Sequence, residues 1–194
     1  MSRFVPDKEQ YKETLAKISG DLRTTVVVRL MSECGMAREE VVNLTRDNTN
    51  RFHNRGIWIE KAKSINKGKK KDKKVVYEMR SREVPINAGL YTLLIAYIGS
   101  HTSPFLIDRL RHSKVPKPLT PRMVNTIFAN ADIKWSPHDC RHFFRAQVRK
   151  QMIKERSIDT QVIKEIMGHV LDVHEKYGGE SDFEYKLEIV DKVF

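Results

Sequence analysis

Residues 136–145 read Ser-Pro-His-Asp-Cys-Arg-His-Phe-Phe-Arg (SPHDCRHFFR). Ser136 followed by Pro137 marks a helix start: a serine side chain caps free N–H groups, and proline suits the first helical position. On that helix His138 and Arg141 stand three positions apart and project from one face. Fixed positive charge beside a proton acceptor suits a phosphate group. The stretch also admits a plainer reading, a capped helix with solvated charges. The rest of the chain decides between the two.

Composition narrows the partner first. The chain has 194 residues, 40% of them hydrophobic, which is enough for a real core in one ordinary domain or two small ones. Its formal net charge is +11 and its pI about 9.7, a balance that points to a polyanion, nucleic acid before an acidic membrane surface. No apolar run approaches the roughly 20 residues that a membrane span needs. Met1 to Gln10 is polar and does not read as a signal peptide. Two cysteines, Cys34 and Cys140, are too few for a disulfide framework and fit a reducing cytoplasm. His138, Cys140 and His142 are zinc-ligand residue types, but alternate residues on a helix diverge and no fourth ligand is evident.

Outward from that stretch, the chain alternates between helix and strand patterns. Residues 7–19 read as a helix capped by Asp7, with Tyr11, Leu15 and Ile18 at helical spacing, stopped by Gly20. Leu22 to Ser32 is a second, more buried helix, broken at Cys34-Gly35, and Met36 to Leu44 a short third. The period then changes. Ile57 to Lys61 alternates like a strand, as do Val75 to Met79 and Glu83 to Ile86, which form one long strand or two short ones. Between them Lys67 to Lys74, KGKKKDKK, carries six lysines in eight residues and reads as the basic tip of a hairpin. Those lysines (Lys67, Lys69, Lys70, Lys71, Lys73 and Lys74) are candidate contacts to DNA phosphates, held without reading sequence. Helices resume over Ala88 to Ile98, Pro121 to Ala129, Ser136 to Lys154 and Ile158 to Met167, the last closed by Gly168. The tail, Asp182 to Phe194, is amphipathic, with Phe183, Leu187, Val190 and Phe194 on one stripe. The fold class is mainly α with a small antiparallel β-sheet, an α+β chain.

Several reactive groups sit at element ends. Arg38 opens the third helix, Lys63 follows the first strand, His169 follows Gly168, and Tyr177 lies eight residues beyond His169. With His138 and Arg141 they form a coherent set. A tyrosine can attack a phosphodiester and hold it as an ester. Two arginines can fork onto its non-bridging oxygens. A lysine can protonate the leaving oxygen, and a histidine can take the phenolic proton. The guanidinium groups fill the electrostatic role that a metal plays elsewhere, so the set calls for no cofactor. Lys61 and Lys67 compete with Lys63 for the acid, and Tyr185 competes with Tyr177 for the nucleophile.

The ordered set resembles the catalytic domain of a tyrosine recombinase, the phage-integrase family, over nearly the whole chain. His138-Asp139-Cys140-Arg141-His142 resembles its HxxRH box, and Met167-Gly168-His169 with Tyr177 its LGH and tyrosine boxes. The strand IWIEKAK, with Lys63, resembles its lysine element, and Gly35 to Leu44, GMAREEVVNL, its first arginine box. An ungapped match of that box puts Ala37 at the arginine position and Arg38 one residue late, about 100° round a helix. The Gly-Met-x-Arg form is similar to integrases of archaeal viruses and plasmids.

The resemblance implies a DNA strand-transferase that forms a 3′-phosphotyrosyl intermediate without metal or ATP. It implies a homo-tetramer on two duplex sites, acting in the host cytoplasm at the nucleoid, whose subunits exchange C-terminal segments; the tail stripe is the candidate exchanged element. Family members carry an N-terminal core-binding domain, whereas here a catalytic-type helix begins by residue 7. The chain therefore reads as a single catalytic domain over 1–194 without that partner, a fragment or a minimal relative. Two other readings stay open: a type IB topoisomerase-like enzyme, and a DNA-binding module that keeps the fold without the chemistry.

Overall fold

A buried helix that reads as core from end to end is the spine of the molecule. In the computed structural model, which describes residues 5–49, 52–60, 63–65, 76–78, 81–109, 115–156, 159–169 and 179–194, it is the second helix. The first, α1 (Lys8–Ile18), starts in a capping box in which Asp7 and Gln10 each accept the other's backbone N–H. Then come α2 (Leu22–Glu33), capped by Asp21, and the one-turn α3 (Arg38–Val42). Val26, Val27, Val28 and Leu30 of α2 are wholly buried, and α2 packs against both α4 (Ala88–Gly99) and α6 (Pro137–Lys154). The Glu33 carboxylate, buried at the end of α2, accepts hydrogen bonds from the Tyr11 hydroxyl, Arg29 and Asn87, tying α1 and the start of α4 to the spine.

Between α3 and α4 the chain forms β1 (Gly56–Ile59), β2 (Lys63–Ile65), β3 (Val76–Glu78) and β4 (Arg82–Pro85). β1 pairs antiparallel with β4, and β2 with β3. Ile59 stands opposite Arg82 and Lys63 opposite Glu78, four residues further along on either side, so the two ladders are in the same register. Within residues 75–86, read as one long strand or two short ones, Val76–Glu78 and Arg82–Pro85 are strands, and residues 79 and 80 lie outside the described residues. The basic run Lys67 to Lys74 lies outside the described residues.

The last helices close the core. They are α5 (Pro121–Asn130), α6, α7 (Thr160–Met167) and α8 (Phe183–Val193). α7 starts two residues later than its hydrophobic pattern suggested, because the Asp159 carboxylate accepts the N–H groups of Gln161 and Val162 and sets the cap there. Phe143 and Phe144 of α6 are almost wholly buried, and Phe144 stacks on Phe194 with ring centroids 6.0 Å apart. α8 packs on α6 and β4 of its own chain through Leu187, Ile189, Val190 and Val193. A two-pronged Arg55–Asp191 ion pair (2.7 and 2.8 Å) and buried Lys186, 3.1 Å from Glu165, add polar fastening. Of the expected stripe Leu187 and Val190 are buried, while Phe183 and Phe194 stay half-buried. Among the described residues no helix is long and apolar enough to cross a membrane.

Candidate active site

α6 begins where its sequence says it should. Ser136 and Asp139 make the reciprocal cap: Asp139 accepts the Ser136 N–H at 2.9 Å, and the Ser136 hydroxyl oxygen accepts the Asp139 N–H at 3.3 Å. This fixes the first turn and with it His138, which is exposed, and Arg141, whose side chain is 11% exposed. His138 and His142 meet edge to face with ring centroids 4.5 Å apart. Cys140, on the opposite side, is fully buried, and burial pushes its thiol up to about 12. His138 and Cys140 therefore diverge, which removes the zinc reading on geometry.

Arg141 is held by backbone. Its Nη1 donates to the Gly35 carbonyl and its Nη2 to the Met167 carbonyl, each at 2.5 Å. Gly35 sits at φ +62°, and an added Cβ would lie 2.6 Å from the Phe144 ring. That turn can close over α6 only without a side chain. Burial lowers the Arg141 pKa to about 10, with Glu40 acting to raise it and Arg82 to lower it further. The group stays charged at neutral pH. Two of a guanidinium's five N–H groups are committed to carbonyls, which leaves three for a ligand.

Arg38 reaches the same cleft, and the way α3 starts explains how. A helix over Met36 to Leu44 was the sequence expectation; only Arg38–Val42 is helical. The Glu40 carboxylate reaches back to accept the Ala37 N–H at 2.7 Å, and Ala37 is extended (φ −75°, ψ 154°). The helix therefore opens on Arg38 itself, one residue after the position the sequence match assigns to the arginine. Arg38, Met36, Ala37, Asn125, His138 and Arg141 all line a cleft of about 400 Å³. Arg38 donates to Glu39 (2.8 Å) and to Asn125 (3.2 Å) across the cleft mouth.

His169 sits at the end of α7. Gly168 is left-handed (φ +68°); its N–H and that of His169 donate to the carbonyls of Glu165 and Lys164. That is a Schellman ending, which glycine favours. Partial burial first, then the positive charges of Arg141, Arg145, Arg82 and Lys164, push the His169 imidazolium down to about 4. At neutral pH the ring is a free base next to Arg141. Its protonation should therefore titrate near pH 4 in the folded protein, against about 6.5 for an unperturbed histidine, as read from its imidazole NMR signals. The unfolded chain takes up this proton first as pH falls, so the group withdraws stability between about pH 6.5 and 4 and none above that window. A midpoint near 6.5 in the native protein would show the imidazole to be outside the cationic cluster.

Lys63 is the first residue of β2, opposite Glu78; its side chain lies outside the described residues. Tyr177 and the lysines at 67, 69, 70, 71, 73 and 74 also lie outside them. Of the sequence-derived set, Arg38, His138 and Arg141 share the cleft, and His169 joins them electrostatically.

One pair was missed. Buried Arg82, on β4, forks onto buried Glu40 at 2.7 and 2.9 Å and donates through Nε to the Ile166 carbonyl at 2.8 Å. The sequence signal was there: an arginine two residues before Val84, hence on the same face of the strand, and a glutamate within the first turn of a helix.

Solved structures share this architecture. XerA recombinase superposes with a TM-score of 0.63 at 17% identity, over 99% of this chain and 65% of that one. The Tn1549 transposon integrase, solved in complex with a circular intermediate DNA, gives 0.65 at 18% over 95% of this chain and 64% of that one. The integrase of mycobacterium phage Brujita gives 0.65 at 14%, over all of this chain and 60% of that one. The chain thus spans under two-thirds of the length of each of these three, and at such identities the likeness is one of fold. No curated protein sequence matches the chain. A family model does: it takes in residues 6–174, from the cap of α1 through the cleft and past His169, and it makes the chain a member of the phage integrase family.

Proposed function

We propose that this chain cuts and rejoins duplex DNA at specific sites through a 3′-phosphotyrosyl ester. The observation that carries the reading is the convergence of Arg38, His138 and Arg141 on one cleft, with the Arg141 guanidinium fixed by two carbonyls. Preorganised donors aimed at a phosphoryl group stabilise the charge of its transition state without reorganising during the step. In this scheme the Tyr177 oxygen attacks the scissile phosphorus, and the bond to the 5′-oxygen breaks. Lys63 protonates that leaving oxygen. His138 or His169, the latter uncharged at neutral pH, takes the phenolic proton. A 5′-hydroxyl from a second strand then reverses the step. The ester keeps the bond energy, so the scheme calls for neither ATP nor metal. A homo-tetramer spanning two duplexes, with tails exchanged or docked in cis, is part of the same proposal.

A pool of nicked suicide duplexes with randomised cores tests it. The expected result is a detergent-stable protein–DNA adduct whose linkage maps, after proteolysis and mass spectrometry, to the peptide holding Tyr177. Linkage to Tyr185 would reassign the nucleophile. Salt-sensitive binding with no adduct would leave a DNA-binding module without the chemistry.

The basic run gives a separate expectation. Replacing Lys69, Lys70 and Lys71 with glutamine should weaken binding to every duplex alike. Each lost phosphate contact should flatten the plot of log affinity against log salt by about 0.9. An unchanged slope would remove these lysines from the interface.

A further inference from the structure

We propose that Arg82 is a positioning residue: it occupies Glu40, so that Glu40 does not draw Arg141 out of the cleft. The inference rests on the reading of that cleft as a phosphodiester site, and gives it a second layer.

Glu40 is a buried carboxylate, with 1% of its side chain exposed, and a buried carboxylate must be paired. Two guanidinium groups lie within reach. Arg82 takes both oxygens, Nη1 to Oε1 at 2.7 Å and Nη2 to Oε2 at 2.9 Å. Arg141 stands 3.8 Å from Oε2, too far for a hydrogen bond. Glu40 Oε2 also accepts the Ala37 N–H, which completes its coordination. A shift of about 1 Å would turn the Arg141 contact into a charge-assisted hydrogen bond of about 2.8 Å. What prevents that shift is Arg82, which satisfies the carboxylate and repels the second guanidinium.

Arg82 cannot itself meet a substrate. Its side chain is 4% exposed, and all three guanidinium nitrogens are committed, the third to the Ile166 carbonyl. It acts through Glu40 on the two segments that carry Arg38 and Arg141. Take Arg82 away, and Glu40 keeps its charge and has Arg141 as its neighbouring cation. Arg141 would then trade phosphate for Glu40.

The test uses the full chain as Arg82→Gln and as Arg82→Gln with Glu40→Gln. Two readouts are taken: affinity for inorganic phosphate, followed through the His138 and His142 NMR signals, and the rate of adduct formation on the nicked duplex at saturating DNA. Arg82→Gln should bind phosphate about 10-fold more weakly and form adduct about 100-fold more slowly, with DNA affinity unchanged. The double variant should recover both to within about 3-fold of the parent, because the competing carboxylate charge is gone. A residue that merely clamps the fold would lower the urea midpoint of Arg82→Gln while leaving phosphate binding by its folded fraction at the parental level. Wild-type phosphate binding in Arg82→Gln, or a folded double variant as weak as the single one, overturns the inference. Should Arg82→Gln fail to fold, Arg82→Lys serves: it keeps the charge, loses the fork, and should lie between parent and Arg82→Gln, whereas parent-like phosphate binding in it overturns the inference. The phosphate readout stands apart from catalysis. No adduct from the parent, with the phosphate pattern intact, would sink the recombinase reading alone; a parental adduct without the phosphate pattern would sink the Arg82 inference alone.

Discussion

Arg141→Lys should bind duplex DNA about as well as the parent and form the covalent adduct about 1,000-fold more slowly, a loss of about 4 kcal/mol from the transition state. The reason is geometry rather than charge. The Arg141 fork is seated by the Gly35 and Met167 carbonyls, one on each terminal nitrogen, so its remaining N–H groups have a fixed direction. A lysine ammonium has three donors on a flexible stem and no plane. In this site it would spend them on the same carbonyls and on Glu40, whose Oε2 is already 3.8 Å from Arg141. Few donors would be left for the phosphate, and none at a set angle. Ground-state DNA affinity is spread over many surface charges in a chain of net charge +11, so it should hardly change. Single-turnover adduct formation and electrophoretic mobility shift separate the two quantities. A rate within about 10-fold of the parent would mean that Arg141 is not the group that meets the developing charge.

What could be read in advance was what local chemistry controls. The α6 start was legible because Ser136, Pro137 and Asp139 settle it within four residues, and that placed His138 and Arg141 on one face. The α7 ending was legible because only Gly168 suits the left-handed turn before His169. Where α3 begins was not. Its hydrophobic pattern runs from Met36, but Glu40 reaches back over Ala37 and moves the first helical residue to Arg38. The reason lies further off still: Glu40 is fixed by Arg82, 42 residues away on a strand, and no periodicity reports such a contact. The tail stripe told the same partial story. Amphipathicity showed that α8 needs an apolar partner but not which one, and α6 with β4 of the same chain supplies it here.

Gly168→Ala is expected to lower stability by about 2–4 kcal/mol. Two costs combine. The backbone at Gly168 has φ +68°, a conformation that costs an L-residue about 1–2 kcal/mol. The new Cβ would also lie 2.3 Å from Arg82 Nη1 and 2.6 Å from Cζ. Overpacking of that kind costs about 1–3 kcal/mol when the neighbour cannot yield. Arg82 cannot yield cheaply, since its guanidinium is bound to both Glu40 oxygens and to the Ile166 carbonyl. Gly179 provides the control, because it too has a positive φ (+78°) but nothing among the described residues lies within 4 Å of its would-be Cβ. Gly179→Ala should therefore show the backbone cost alone, about 1–2 kcal/mol. The difference between the two urea midpoints isolates the collision with Arg82. If Arg82 moves to make room, its fork on Glu40 opens, and Gly168→Ala should also slow adduct formation well beyond Gly179→Ala. Equal losses at the two glycines would mean that Arg82 gives way freely, and that the seat of Arg141 does not depend on it.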